Sequence, residues 1–191
     1  MSNPPENMTR RRLLMAAPLA GAAIVGVGFW KMLSGMQHGS FNPHDINAPV
    51  LNRPVPDFSV PDQAPGQGFS AQDLRALTQP VLVNFFASWC IPCLAEMPTL
   101  MGLKDDLTMW GIAYKDRPEN AAGFLKHSGN PFTRLGSDRD GRVGIDWGIS
   151  GVPETFLIGP GGIIRWHSAA PLDVDTIRGT LVPLLESLKK S

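Results

Sequence analysis

The chain of 191 residues contains two cysteines, Cys90 and Cys93, separated by Ile91 and Pro92. An apolar run over residues 81–87 precedes them, and apolar residues at helical spacing follow them, so Cys90 is expected where a strand meets a helix. A thiol at a helix start faces unpaired backbone N–H groups and the positive end of the helix dipole, which favour the thiolate. The spacing predicts a reactive pair, with Cys90 attacking and Cys93, one turn later, resolving the mixed disulfide.

A C-x-x-C pair has other known roles. A zinc site needs further ligands, but there is no third cysteine and the histidines show no paired ligand spacing; they are His38, His44, His127 and His167. Haem attachment requires a histidine directly after the second cysteine, where this chain has Leu94. A static disulfide stays open as an alternative, although a bridge across so short a loop removes little entropy from the unfolded chain.

The elements that position the cysteines follow from hydrophobic periodicity. Residues 81–87 read as a central strand, and the helix after the cysteines is expected to run to about Leu107 and to bend at Pro98. The next predicted elements are a strand at 109–114, a helix at 118–127, a short strand at 131–135, a turn at 138–141 and a short helix at 143–147. An antiparallel hairpin of 155–158 with 163–167 is expected to follow. The last element is a helix at 173–188, in which Asp173 is the expected N-cap and Pro183 argues against a straight helix. This order predicts an α/β thioredoxin-like fold, a mixed sheet with helices on both faces.

The N-terminal region predicts a membrane anchor. Residues 13–30 carry no charge and follow Arg10, Arg11 and Arg12, so residues 1–12 are expected in the cytoplasm and 13–33 as a single transmembrane signal anchor. Residues 34–52 read as a linker, and 53–191 as the thioredoxin-like domain. A cleaved signal peptide and a twin-arginine export signal are the alternatives, and each also places the domain outside the cytoplasm.

The charge distribution argues against nucleic acid as a partner. Four of the 17 basic residues and one of the 17 acidic residues lie in residues 1–35, which leaves 13 basic and 16 acidic residues in the remainder. That remainder therefore has a net charge of −3 and no basic stripe.

Two separated motifs carry a resemblance to a known family. Trp89-Cys90-Ile-Pro-Cys93 follows an apolar strand, and Gly151-Val-Pro-Glu-Thr-Phe156 comes some 60 residues later. Together they resemble the thioredoxin superfamily, and closely its cytochrome c biogenesis branch, the CcmG or DsbE group. More specific matches are Tyr-Lys-Asp at 114–116, Gly-Asn-Pro at 129–131 and the segment 148–158.

The resemblance assigns roles to several residues. Pro153 is implied to be the cis-proline that faces the disulfide and helps to hold an incoming peptide. Trp89, Pro92 and Val152 are candidate substrate-binding residues beside it, with plain packing as the alternative for Trp89. Glu96 and Glu154 look like the acidic residues of this branch, able to exchange protons with the cysteines if partly desolvated. A solvated helix face is the alternative for Glu96. Asn84 occupies the strand position at which ordinary thioredoxins have a buried Asp, and an amide cannot exchange protons.

The resemblance also implies a function. It describes a reductant anchored by one span in the bacterial inner membrane, with its domain in the periplasm and no bound cofactor or metal. Its target would be the disulfide of an apocytochrome c C-x-x-C-H segment or of another cytochrome c maturation protein, with electrons from a membrane transporter of the CcdA or DsbD type. The alternatives are a general periplasmic oxidant or isomerase, a copper metallochaperone with His167 as an added ligand, and a domain with an inert disulfide.

Overall fold

The structure is a computed structural model that describes residues 23, 25–31, 34, 51–63 and 67–189. The chain divides into two compact units, Met1–Pro43 and His44–Ser191. The described residues of the first unit are helical. Within the described parts of the chain, there is no helix with the length and apolar character needed to span a membrane. The predicted anchor and linker lie largely outside these residues.

The second unit is built on a five-stranded mixed sheet. Two strands of two residues each, β1 (Ser59–Val60) and β2 (Phe69–Ser70), form a separate antiparallel pair. The sheet contains β3 (Val81–Phe86), β4 (Met109–Tyr114), β5 (Arg134–Asp138), β6 (Glu154–Gly159) and β7 (Ile163–Ser168) in the order β5-β4-β3-β6-β7. Strands β3, β4 and β5 are parallel, whereas β6 is antiparallel to both β3 and β7. The predicted mixed sheet and hairpin are confirmed.

Helices cover the sheet on both faces. They are α1 (Ala71–Arg75), α2 (Ile91–Leu103), α3 (Pro118–Ser128), α4 (Arg142–Trp147), α5 (Val174–Thr176) and α6 (Val182–Lys189). On one face Leu82 and Phe86 of β3 pack with residues of α2, α3 and the C-terminal helical region. On the other, Val83 and Phe85 pack with residues of α1 and α4. Because β3 is buried on both sides, its sequence is an almost unbroken apolar run, and the predicted thioredoxin-like arrangement is confirmed.

Helix α2 is shorter than predicted, ending at Leu103 instead of Leu107. The next three residues, Lys104 to Asp106, are charged and exposed, and form the turn that leads into β4. Leu107 is still buried against the same core, with its N–H donating to the Leu103 carbonyl at 3.0 Å. A residue of the apolar stripe thus belongs to the core without belonging to the helix.

The short strand predicted at 131–135 lies further along, at Arg134–Asp138. Pro131 has no N–H to donate, and the N–H of Phe132 goes to the side chain of Asn130 at 3.0 Å rather than to a neighbouring strand. Regular pairing begins where Arg134 faces Trp110 and continues to Asp138 opposite Tyr114.

The predicted C-terminal helix is interrupted. Asp173 caps its start by accepting from Thr176 N at 2.7 Å, as expected, but Ile177–Leu181 forms a π-helical turn between α5 and α6. Pro183 lies just after that turn, and a proline cannot donate to the carbonyl four residues back, so a wider turn accommodates it. The region predicted as one helix is therefore two α-helical segments joined by a π-helical turn.

Candidate functional site: a disulfide at a helix start

The two cysteines form a disulfide at the start of α2, with an S–S distance of 2.03 Å and a Cα–Cα distance of 5.3 Å. Cys90 is the N-cap residue, and its Sγ accepts a hydrogen bond from the Cys93 backbone N–H at 3.0 Å. In the reduced protein this N–H and the helix dipole stabilise negative charge on Cys90. Cys90 is 4% exposed and Cys93 0%, so a target sulfur can reach only Cys90.

A loop between α4 and β6, residues 150–153, lies against this sulfur. The Val152 carbonyl oxygen is 3.4 Å from Cys90 Sγ, and the Val152–Pro153 peptide bond is cis. Pro153 is buried and Val152 is partly buried against the cores on both faces of the sheet. The structure therefore places the Val152 carbonyl beside Cys90, with the cis-proline directly after it.

The surface around the disulfide is apolar. Trp89 is 58% exposed, and its indole Nε1 donates to the Lys115 carbonyl at 3.2 Å. Ile91 and Leu94 are exposed on the first turns of α2, and Pro92 is exposed beside them in the first turn, where its missing N–H is no loss. An exposed apolar rim around a reactive sulfur suits contact with an unfolded peptide.

Glu96 is buried on the inner side of α2, one turn beyond Cys93. It is 2% exposed, so the alternative of a solvated helix face is wrong. Its Oε1 accepts from Asn84 Nδ2 at 3.0 Å, and its Oε2 accepts from the Leu172 backbone N–H at 3.0 Å. Burial raises the pKa of Glu96 to about 7, outweighing these two hydrogen bonds, which lower it. Glu96 can therefore gain or lose a proton near neutral pH, close to the more buried cysteine.

Asn84 bridges Glu96 to the neighbouring strand. The same Nδ2 group also donates to Thr155 Oγ1 at 2.9 Å, and Thr155 is the residue directly opposite Asn84 on β6. Asn84 Oδ1 is buried and has no hydrogen-bond partner among the described residues. The Asn84 amide thus holds a carboxylate that helix α2 supplies.

Glu154 occupies a different environment. Its Oε1 accepts from Ser150 N at 2.6 Å, Ser150 Oγ at 2.7 Å and Gly151 N at 3.1 Å, while its Oε2 is 2.6 Å from His167 Nε2. Burial raises the pKa of Glu154, but the hydrogen bonds from His167 and Ser150 and the charge of His167 outweigh it, and the net pKa is lowered. These hydrogen bonds favour the ionised form, so Glu154 is a carboxylate that accepts from both the loop and His167.

The two glutamates lie on opposite faces of the sheet. Glu154 stands opposite Phe85, which packs on the α1 and α4 face, whereas Asn84, the partner of Glu96, points to the α2 face. The resemblance groups both acids with the cysteines. The structure brings Glu96 and Asn84 together and keeps Glu154 apart from them.

His167 is the residue of this region that sequence reasoning undervalued, since it was considered only as a copper ligand. It lies opposite Phe156 on β7, and its ring stacks on the Phe156 ring with centroids 4.4 Å apart. The predicted hairpin was the feature of the sequence that could have indicated this contact. In the observed register Glu154 lies diagonally across from His167 on the neighbouring strand. Among the described residues there is no group of three or more His, Cys, Asp or Glu able to hold a metal ion.

A disulfide in this position on this fold performs thiol–disulfide exchange, and the protein is a thiol:disulfide oxidoreductase. The chain belongs to the AhpC/TSA family of thioredoxin-like proteins, whose model matches residues 51–167, and within it to the group of DsbE and HelX. The resemblance seen in the sequence is thereby confirmed.

Two relatives are described as thiol:disulfide interchange proteins. HelX of Rhodobacter capsulatus is 38% identical over 174 residues, covering 90% of this chain and 95% of HelX. DsbE of Escherichia coli K12 is 33% identical over 183 residues, covering 95% of this chain and 97% of DsbE. Among solved structures, a thioredoxin-family thiol:disulfide interchange protein from Chlorobium tepidum matches with a TM-score of 0.54 and 25% identity, covering 71% of this chain and 94% of that one.

Proposed function

We propose that this oxidoreductase is a reductant of apocytochrome c, or of a partner protein in cytochrome c maturation, tethered to the bacterial inner membrane with its domain in the periplasm. The observation that carries the proposal is the buried Glu96–Asn84 pair beside the disulfide. It replaces the buried aspartate of ordinary thioredoxins and marks a specialised redox site. The uncharged segment at 13–30 behind three arginines supports the tether.

The exchange is a two-electron reaction in two steps. The Cys90 thiolate attacks one sulfur of the target disulfide, a mixed disulfide forms, and the leaving target thiolate takes up a proton. Cys93 then attacks Cys90 Sγ, which forms the Cys90–Cys93 disulfide and releases the second target sulfur as a thiolate. The target is reduced by two electrons, and this chain is oxidised by two.

Glu96 handles the proton of the second step. Cys93 is fully buried, and its thiol must lose a proton before it can attack. Glu96 lies three residues further along the same helix, where side chains are neighbours, and its pKa of about 7 allows it to accept this proton. A membrane dithiol transporter of the CcdA or DsbD type then restores the reduced pair.

Trapping tests the target. Cys93→Ser cannot resolve the mixed disulfide, so the purified reduced variant should accumulate a covalent adduct with an oxidised C-x-x-C-H peptide. The matched control, Cys90→Ser, should form none. If the Cys93→Ser variant trapped unrelated periplasmic disulfides and not this peptide, the cytochrome assignment would be contradicted.

The direction of electron flow is tested by the reduction potential against glutathione. A reductant should have a potential well below that of a strong oxidant, which lies at about −120 mV. A value near that level would favour the general oxidant.

The tether is tested by fractionation: the full chain should sediment with membranes, and added protease should digest its domain in spheroplasts.

A further inference from the structure

The contacts of Glu154 are directed at one piece of backbone. Two of its hydrogen bonds come from the backbone N–H groups of Ser150 and Gly151, and a third comes from the Ser150 hydroxyl. These residues begin the loop 150–153. The carboxylate therefore fixes the chain immediately before Val152, whose carbonyl oxygen lies 3.4 Å from Cys90 Sγ.

Glu154 is itself held in place by His167. An ionised carboxylate only accepts hydrogen bonds, so the His167 Nε2 that lies 2.6 Å from Glu154 Oε2 carries a hydrogen. The imidazole cannot rotate freely, because its ring is stacked on Phe156, which is 1% exposed and packed against Trp147 and Phe85. The pair is almost fully shielded from water, with side-chain exposures of 9% for His167 and 2% for Glu154.

The position of the Val152 carbonyl affects the chemistry of Cys90. A carbonyl oxygen next to a reduced cysteine accepts a hydrogen bond from the thiol, and its negative end disfavours the thiolate. The Cys93 N–H on the opposite side favours the thiolate. The balance between these two groups sets the thiolate fraction of Cys90, and only the carbonyl is carried by a loop outside the helix.

We propose that His167 and Glu154 form a clamp, a pair of positioning residues that holds the Val152 carbonyl against Cys90 and so restrains thiolate formation at the attacking sulfur. The inference rests on the proposed function only in taking Cys90 as the attacking residue, and it holds for any target. The clamp gives the two glutamates different roles: Glu96 exchanges a proton, whereas Glu154 holds the backbone of residues 150 and 151.

Two substitutions of His167 separate the hydrogen bond from the packing. His167→Phe keeps a flat ring on Phe156 but loses the N–H, whereas His167→Gln keeps an N–H donor near the Nε2 position. The readout is the pH midpoint of thiolate absorbance at 240 nm in the reduced Cys93→Ser background, which reports Cys90 alone. Glu96 is unchanged in every variant.

The clamp predicts that His167→Phe shifts this midpoint to lower pH, with the thiolate-to-thiol ratio at a fixed pH rising about threefold or more. His167→Gln should stay close to the parent protein. Equal midpoints for all three proteins, or equal shifts for Phe and Gln, would overturn the proposal. A crystal structure of His167→Phe should show the Val152 oxygen further from Cys90 Sγ.

A milder variant covers the case in which His167→Phe does not fold. Ser150 is exposed, so Ser150→Ala should leave the fold intact while it removes one hydrogen bond from Glu154. A smaller shift in the same direction is expected, and a shift to higher pH contradicts the clamp. The Cys93→Ser protein also shows whether Cys90 titrates and can be alkylated. If it does neither, Cys90 is not the attacking residue; if it does both but the midpoint does not respond to His167→Phe, only the clamp fails.

Discussion

Glu96 of helix α2 and Asn84 of strand β3 are joined by a hydrogen bond of 3.0 Å across the buried face of the sheet. Asn84 is 1% exposed and Glu96 is 2% exposed, so water does not screen this contact. A buried environment disfavours the charged form of a carboxylate. The Glu96 carboxylate is held there by two donors, the Asn84 amide and the Leu172 backbone N–H.

The raised pKa of Glu96 predicts how stability depends on pH. The folded-state pKa is about 7 and the ordinary value is 4.5, so the native state retains a proton that the unfolded chain releases. The stabilisation is fully present below pH 4.5 and is lost as the pH rises through 7, by about 3 kcal/mol in total. Glu96→Gln should remove this loss, and urea unfolding of the oxidised protein from pH 4.5 to 8 measures it.

The amide of Glu96→Gln also has an acceptor available, because Asn84 Oδ1 has no partner in the described part of the native structure. Glu119→Gln, on the exposed side of α3, is the matched control and should keep the parent pH profile. A Glu96→Gln profile that still falls between pH 5 and 7 would assign the pH dependence to another group.

Asn84→Asp places a second acid in the buried site beside Glu96 and should be destabilising. The new carboxylate would lie about 3 Å from Glu96, and two buried carboxylates at that distance cannot both ionise. We expect destabilisation greater at pH 8 than at pH 5 by about 2–4 kcal/mol. Asn120→Asp, the same change at an exposed position of α3, should have no such pH dependence in urea unfolding.

Asp116 organises the turn that leads to Cys90. It accepts from Ser88 N at 2.6 Å, Ser88 Oγ at 3.0 Å and Arg117 N at 2.8 Å. Asp116→Ala should therefore cost about 2–3 kcal/mol in the free energy of unfolding, and Ser88→Ala about 1 kcal/mol. The double variant should be no less stable than Asp116→Ala, because the hydroxyl contact is already lost; full additivity would mean that the two side chains act separately.

Trp89 is predicted to act in binding rather than folding. Since it is 58% exposed, Trp89→Ala should change the unfolding free energy by less than about 1 kcal/mol. Removing an exposed aromatic beside the reacting sulfur should lower the rate constant for reduction of a peptide disulfide about tenfold. Val182→Ala, another exposed apolar residue, on α6, is the control, and an equal effect of both substitutions would exclude a specific role for Trp89.

Much of the molecule could be predicted from local pattern. The apolar run of β3, the cysteines at the start of α2 and the Gly-rich turn of the hairpin are each encoded within a few residues of one another. The errors fall where distant partners decide: Leu107 is buried after its helix has ended, and the strand expected at Pro131 begins at Arg134, where pairing with Trp110 becomes regular.

The sequence by itself determined the central strand, the reactive pair at a helix start, the mixed sheet and the family. Only the tertiary structure decided what each acid does, because their partners are distant in sequence: Glu96 meets Leu172, 76 residues away, and Glu154 meets His167 across a hairpin. Burial and hydrogen bonding set the protonation of a carboxylate, and both depend on which chain segments pack around it. Two glutamates that the sequence grouped together thus differ in protonation: the pKa of Glu96 is raised to about 7, and the pKa of Glu154 is lowered.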